Sequence, residues 1–207
     1  MLKQIKCIFF DVGSTLVDES VAYNNRIKRA IKNTAVNYDE FYDKMIEFYR
    51  QNKRGDKEAA KFFGLALPEW DSNDEFAYPQ AKKCLKNLSK DYNIGIIANQ
   101  NFGTEQRLQN WGLQKYISLV ITSAEFGTAK PDLTIFKIAL LKANCNPENA
   151  VMVGDRLDND IAPAKKLGMK TIWIKQGFGG LSTVITKHET PDYTINNLDE
   201  LYDLFLD

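Results

Sequence analysis

Five short apolar runs, each broken at once by polar or glycine-bearing residues, constrain this chain more than any other feature. They are residues 5–10, 94–98, 117–121, 150–153 and 171–174, and they stop at Asp11-Val12-Gly13-Ser14, Asn99-Gln100-Asn101, Thr122-Ser123, Gly154-Asp155 and Lys175-Gln176-Gly177. Tyr193-Thr194-Ile195 reads as a sixth, shorter strand. The runs are continuously apolar rather than alternating, which is the signature of strands covered on both faces. Helical patterns lie between them. Ala81, Cys84, Leu85 and Leu88 share one face, residues 104–111 run into Gly112, Pro131 precedes Ile135, Ile138, Ala139 and Leu141, and residues 159–167 run into Gly168. Strand and helix in alternation predict an α/β fold, a doubly wound Rossmann-like parallel sheet.

Residues 18–77 break that rhythm. They hold no convincing strand but show helical faces, such as Ile27, Ala30, Ile31 and then Phe41, Met45, Phe48, Tyr49. The expected organisation is a Rossmann-like core of residues 1–17 and 78–207 with a small helical cap inserted as residues 18–77. The cap's aromatics, Tyr23, Tyr38, Phe41, Tyr42, Phe48, Tyr49, Phe62 and Phe63, read as the core of a small bundle.

Composition narrows the partners. The chain has 207 residues with 27 Lys+Arg against 27 Asp+Glu, so it has no surplus charge for nucleic acid or an anionic membrane. No apolar run nears the about 20 residues that span a bilayer, and the first residues lack a signal-peptide pattern, so a cytoplasmic protein is expected. Cys7, Cys84 and Cys145 are too scattered for a zinc pattern and read as idle thiols.

In an open α/β sheet the binding crevice lies beyond the carboxyl ends of the strands, so the residues just after each strand are the ones to weigh. Those are Asp11, Ala98 with Asn99, and Asp155, joined by Lys130 in Ala129-Lys130-Pro131 at a helix start. Taken singly, Asp11 reads equally well as a turn residue, and Asp158 or Asn159 as a helix N-cap. Together, Asp11 and the cluster Asp155, Asp158, Asp160 repel one another unless a cation holds them, and a hard divalent ion such as Mg²⁺ suits carboxylate oxygens.

Phe9-Phe10-Asp11-Val12-Gly13-Ser14-Thr15-Leu16, Ala129-Lys130-Pro131-Asp132 and Val153-Gly154-Asp155-Arg156-Leu157-Asp158-Asn159-Asp160 resemble, in order and spacing, three signature motifs of the haloacid dehalogenase-like hydrolases. The resemblance runs from Ile5 to about Ile195, and residues 18–77 resemble the helical cap that many members carry. It implies a Mg²⁺-dependent phosphatase acting on a small phosphorylated metabolite, with Asp11 as nucleophile forming an aspartyl-phosphate that water hydrolyses. Mg²⁺ would be held by Asp11, the Gly13 carbonyl and Asp155, with Asp160 completing the first shell of ligands or standing behind it. Lys130 would stabilise charge on the transferring oxygens, and Thr15 would support the turn next to substrate.

Two positions depart from the pattern. Most phosphatases of the family carry a second aspartate two residues after the nucleophile, as acid and then base, and here that residue is Gly13. General acid–base help is worth ~10²–10⁴-fold, roughly 3–5 kcal/mol of barrier, and an alkyl phosphate should suffer its loss more than an acyl or aryl phosphate. The second strand usually ends in Ser or Thr to bind the phosphoryl group, and here it ends in Ala98. Asn99 or Gln100 is the candidate substitute, although a side chain one residue along a strand points to the other face.

The departures keep two other readings open: a non-catalytic or regulatory relative binding Mg²⁺ and a phosphorylated ligand or protein partner, and a phospho-acceptor switch like a receiver domain. The helical insertion argues against the switch. A metal-free dehalogenase fits poorly with a full acidic loop, and a phosphonate-cleaving enzyme would need a cap lysine, with Lys28, Lys32, Lys44, Lys53 and Lys57 indistinguishable. His188 reads as a solvated loop residue, Arg156 as a surface ion pair, and Gly177-Phe178-Gly179-Gly180 as a loop on the crevice rim that is no dinucleotide fingerprint.

Overall fold

The computed structural model describes residues 2 and 4–205. Its strands are β1 (Cys7–Phe10), β2 (Val17–Asp18), β3 (Phe76–Ala77), β4 (Asn93–Ala98), β5 (Leu119–Thr122), β6 (Ala150–Gly154), β7 (Lys170–Ile174) and β8 (Tyr193–Ile195). Its α-helices are α1 (Ser20–Ile31), α2 (Tyr38–Arg50), α3 (Gly55–Phe62), α4 (Ala81–Leu88), α5 (Thr104–Asn110), α6 (Ser123–Phe126), α7 (Leu133–Lys142), α8 (Ala162–Lys166) and α9 (Leu198–Asp203).

Six strands form one parallel sheet in the order β5-β4-β1-β6-β7-β8. The chain winds outward from β1 through β4 to β5, then returns to the other side of β1 with β6. That reversal opens a crevice at the carboxyl end of β1. The continuous apolar strands have the burial they were expected to have. Ile8, Phe10, Ile94, Ile96, Val151, Val153, Ile172 and Ile174 join α4 and α9 in one core, while Cys7, Phe9, Ile97, Ile121 and Met152 pack on α7 and α8 in another. Cys7 and Cys84 are buried free thiols and Cys145 is a half-buried one. No helix among the described residues is long and apolar enough to cross a membrane.

Helices α1, α2 and α3 pack on their own cluster of Ile27, Phe41, Met45, Tyr49, Ala59 and Ala60. Asn37 and Glu40 form a reciprocal capping box that starts α2. The aromatics divide more finely than their helical spacing suggested. Phe41 and Tyr49 are buried, but Phe62, near the end of the short α3, is exposed, with the Lys44 ammonium 4.6 Å from its ring centroid.

Three expectations need correction. Residues 18–77 do meet a strand: β2 and β3 pair antiparallel at the two junctions, Val17 with Ala77 and Asp18 with Phe76. Two residues per strand are too few for any periodicity to register. Helix α7 starts at Leu133 rather than at Pro131, because the Asp132 side chain caps it by accepting the Thr134 N–H. The segment beginning at residue 159 is not one α-helix. Leu157–Ile161 forms a wider π turn before α8, and the Asp160 carboxylate folds back to accept the Arg156 N–H at 2.9 Å.

The loop after β7 ties the sheet to the helical layer. Phe178 stacks on Tyr49 at 5.0 Å between centroids and meets Tyr23 edge-on at 4.7 Å and Tyr42 at 5.9 Å. Gly177, at φ +52°, allows the loop to lie against Ser14, since a Cβ there would fall 2.6 Å from the Ser14 Cβ. Phe178→Ala is expected to cost about 2 kcal/mol, the sum of lost aromatic pairs and half-buried area, measured as a shift in the urea midpoint with unchanged slope.

Candidate active site

Asp11 leaves β1 at the point where the winding reverses, and its N–H donates to the Val153 carbonyl of β6 at 2.9 Å. The next residues turn sharply: the Leu16 and Val17 N–H groups both donate to the Val12 carbonyl, and Ser14 adopts φ +54°. Asp155 follows β6 directly, and its carbonyl accepts the Trp173 indole N–H at 2.7 Å. Lys130 arrives from the segment ahead of α7. Its Nζ lies 2.8 Å from Asp11 and 2.6 Å from Asp160, with side-chain exposures of 1%, 15% and 0% respectively.

One oxygen from each of Asp11, Asp155 and Asp160 lies within 4.8 Å of the others. Burial pushes the Asp155 and Asp160 carboxyls up, and the neighbouring carboxylates push them further, although Lys130 pulls against this at Asp160. Burial alone would lower the Lys130 ammonium, but Asp11 and Asp160 outweigh it and hold the group above its ordinary value. Asp155 is the unbalanced member. It is 5% exposed, and among the described residues its carboxylate has neither a hydrogen bond nor an ion pair. The nearest guanidinium, Arg156, is taken by Asp158 at 3.0 and 2.5 Å. Three hard oxygen donors around one unneutralised buried carboxylate fit a small divalent cation.

The other expected residues behave differently. Gly13 lines the same cavity beside Asp11. Asn99 also reaches the cavity wall, but both ends of its carboxamide hold the Lys130 main chain: Nδ2 donates to the Lys130 carbonyl at 2.8 Å and Oδ1 accepts the Lys130 N–H at 2.7 Å. The residue expected to touch substrate also straps the lysine in place. Thr15 is wholly buried and is not among the residues that line the cavity, and among the described residues its hydroxyl has no hydrogen-bond partner. The tight turn that presents Asp11 points Thr15 into the interior. His188 is exposed.

Sequence reasoning missed the upper wall. Glu19, Tyr23, Tyr49, Arg54 and Phe178 all line the cavity that holds Asp11. The Glu19 carboxylate accepts the Ser14 hydroxyl at 3.0 Å, and burial, with Glu75 and then Asp11 adding, pushes its pKa up to about 8. The Tyr23 and Tyr49 hydroxyls are 3.1 Å apart, and Tyr49 also donates to Asp56. No spacing rule marks Glu19 or Arg54, because each enters the site through a turn and not through a repeat.

Residues 8–174 match the family described as haloacid dehalogenase-like hydrolase. The chain is similar to the glyceraldehyde 3-phosphate phosphatase of Pyrococcus furiosus, at 34% identity over 98% of this chain and 94% of the relative. It is also similar to the ribulose-1,5-bisphosphate 5-phosphatase of Halopiger xanaduensis, at 29% identity over 88% and 79%. Among solved structures, a HAD phosphatase from Thermococcus onnurineus superposes with a TM-score of 0.65, at 25% identity over 98% of both chains.

The strap on Lys130 is testable. Asn99→Ala leaves a buried N–H and carbonyl unpaired, so it is expected to lower stability by about 1–3 kcal/mol in urea denaturation.

Proposed function

The chain belongs to the haloacid dehalogenase-like hydrolase family and is a phosphatase; from that premise we propose that Asp11 is its nucleophile, attacking the phosphorus of a small phosphorylated metabolite to form an aspartyl-phosphate. The observation that carries this reading is the meeting of Asp11, Lys130, Asp155 and Asp160, drawn from three distant parts of the chain, at the sheet's reversal point.

Each residue has a physical task. Lys130 fixes the Asp11 carboxylate at 2.8 Å with one side free, and its charge offsets that of the transferring oxygens. Asp160, fully buried, orients Lys130. The metal in this reading is Mg²⁺, held by Asp11, Asp155 and the Gly13 carbonyl with Asp160 beside them; bound there, it supplies positive charge that offsets repulsion between carboxylates and phosphate. Residues 18–77 act as the cap over a core of 1–17 and 78–207, closing the cavity with Tyr23, Tyr49 and Arg54.

The substrate class is a small alkyl phosphate, supported by relatives named for a triose phosphate and a pentulose bisphosphate. A binding or regulatory protein is the weaker reading, because relatives named as phosphatases cover nearly the whole chain. Asp11→Asn is expected to lower Mg²⁺-dependent phosphate release from glyceraldehyde 3-phosphate by at least ~10³-fold, followed by a colorimetric phosphate assay. Equal release from both proteins would remove Asp11 from the reaction.

The metal leaves a signature independent of turnover. Carboxyls whose pKa is raised by folding destabilise the cation-free protein as pH rises through that range, because the native state then holds protons that the unfolded chain has lost. Protons at acid pH compete with a cation for the same oxygens. Millimolar Mg²⁺ is therefore expected to raise the melting temperature at pH 8 and to do little at pH 5, and Asp155→Asn should erase the difference in a thermal scan.

A further inference from the structure

A departing alkoxide needs a proton, and the water that later cleaves the aspartyl-phosphate must lose one. Few groups in the cavity can serve. Lys130 is held between Asp11 and Asp160, Asp155 belongs to the cation cluster, Arg156 is paired with Asp158, and the hydroxyls of Tyr23 and Tyr49 are bonded to each other. The remaining carboxyl is Glu19, which no ammonium or guanidinium contacts among the described residues; its single hydrogen-bond partner is the Ser14 hydroxyl.

Its place is set by the turn after Asp11. A Cβ built on Gly13 would fall 2.6 Å from the Glu19 carboxyl carbon and 2.8 Å from its Oε2, so the carboxyl occupies the volume that a side chain at position 13 would enter. Three features hold it there. Ser14, in the left-handed conformation, aims its hydroxyl at Oε2; Gly177 leaves room for Ser14; and Glu19 is fixed as the residue that begins α1, without spending its side chain on a cap bond. A glycine at position 13 and a carboxyl above it are one arrangement rather than a loss.

We infer that Glu19, entering from the start of the helical insertion, is the general acid and base of this phosphatase. The inference rests on the phosphatase reading above. As an Asp11 oxygen bonds to phosphorus and the bond from phosphorus to the ester oxygen breaks, the Glu19 carboxylic acid gives its proton to that oxygen and an alcohol leaves. The Glu19 carboxylate then takes a proton from water as the water oxygen bonds to phosphorus and the bond from phosphorus to Asp11 breaks. Phosphate departs, and both carboxyl groups return to their starting state.

The test compares wild type, Glu19→Gln and the double variant Gly13→Asp with Glu19→Ala, in which the aspartate enters vacated volume. Substrates are glyceraldehyde 3-phosphate and p-nitrophenyl phosphate, whose phenolate leaves without a proton. Glu19→Gln, which keeps an acceptor for Ser14, is expected to lose ~10²–10⁴-fold in kcat on the alkyl phosphate. On the aryl phosphate it should give a burst of one nitrophenolate per active site and a phosphoryl adduct on Asp11 by mass, because the second step lacks its base. The double variant should recover alkyl turnover. Alkyl turnover in Glu19→Gln within about threefold of wild type, far short of what acid–base help is worth, would overturn the assignment while leaving Asp11 in place. Loss on both substrates with neither burst nor rescue would make Glu19 a structural residue and also overturn it. Absence of phosphate release from wild type would instead remove the phosphatase reading on which the inference stands.

Discussion

The Lys130 ammonium lies 2.8 Å from Asp11 and 2.6 Å from Asp160, almost without solvent, and the shape of the crevice depends on that shared contact. A buried ammonium is tolerated only when paired, and removing one member of such a pair typically costs about 3–5 kcal/mol because the other charge is stranded. Here one cation serves two carboxylates, so the lysine cannot shift toward either without exposing the other. Asn99 holds the lysine's main chain from below with two hydrogen bonds, and Asp160 is itself held by the Arg156 N–H. The result is a frame in which β1, β4, β6 and the segment before α7 share one polar centre. The frame leaves Asp155 unbalanced, so the site's remaining need for positive charge falls at a single place.

Most of the core was legible because its signals are local and repeated. An apolar run bounded by a turn marks each strand of the parallel sheet, and Asp11 and Asp155 stand at the ends of two such runs. Lys130 was legible from a motif and not from the sheet, since it sits eight residues beyond Thr122. What failed to show was geometry created by single bonds. Thr15 belongs to the motif that carries Asp11, and Asn99 stands in for the usual Ser or Thr after the second strand, while the turn buries Thr15 and both ends of the Asn99 carboxamide hold the Lys130 main chain. Glu19 carries no sequence signal. Its position depends on Ser14 at φ +54° and on an absent side chain at Gly13, and neither can be read from residue spacing.

The aromatic contact between loop and insertion has a similar origin. Phe178 sits in a glycine-bearing loop, and the glycines around it let the loop turn inward so that the ring reaches Tyr23 and Tyr49. Those tyrosines also line the cavity, so the packing that anchors the insertion shapes the room above Asp11. Stability of the junction and definition of the site are properties of the same side chains.

The charge pattern of the cavity then orders events. Asp11, Asp155 and Asp160 bring three potential negative charges to a volume where Lys130 is the buried cation, and two like charges about 4 Å apart repel by about 4 kcal/mol at an effective dielectric near 20. Lys130 offsets part of that repulsion at Asp11 and Asp160, and the acidic cluster leaves room for more positive charge beside an approaching phosphate. Glu19 adds no charge in its protonated form, and burial together with Glu75 and Asp11 favours that form. A carboxyl at this spot can thus stand beside an incoming dianion without repelling it and still deliver a proton when the ester oxygen leaves. A negatively charged group in its place would oppose the approach of a phosphate.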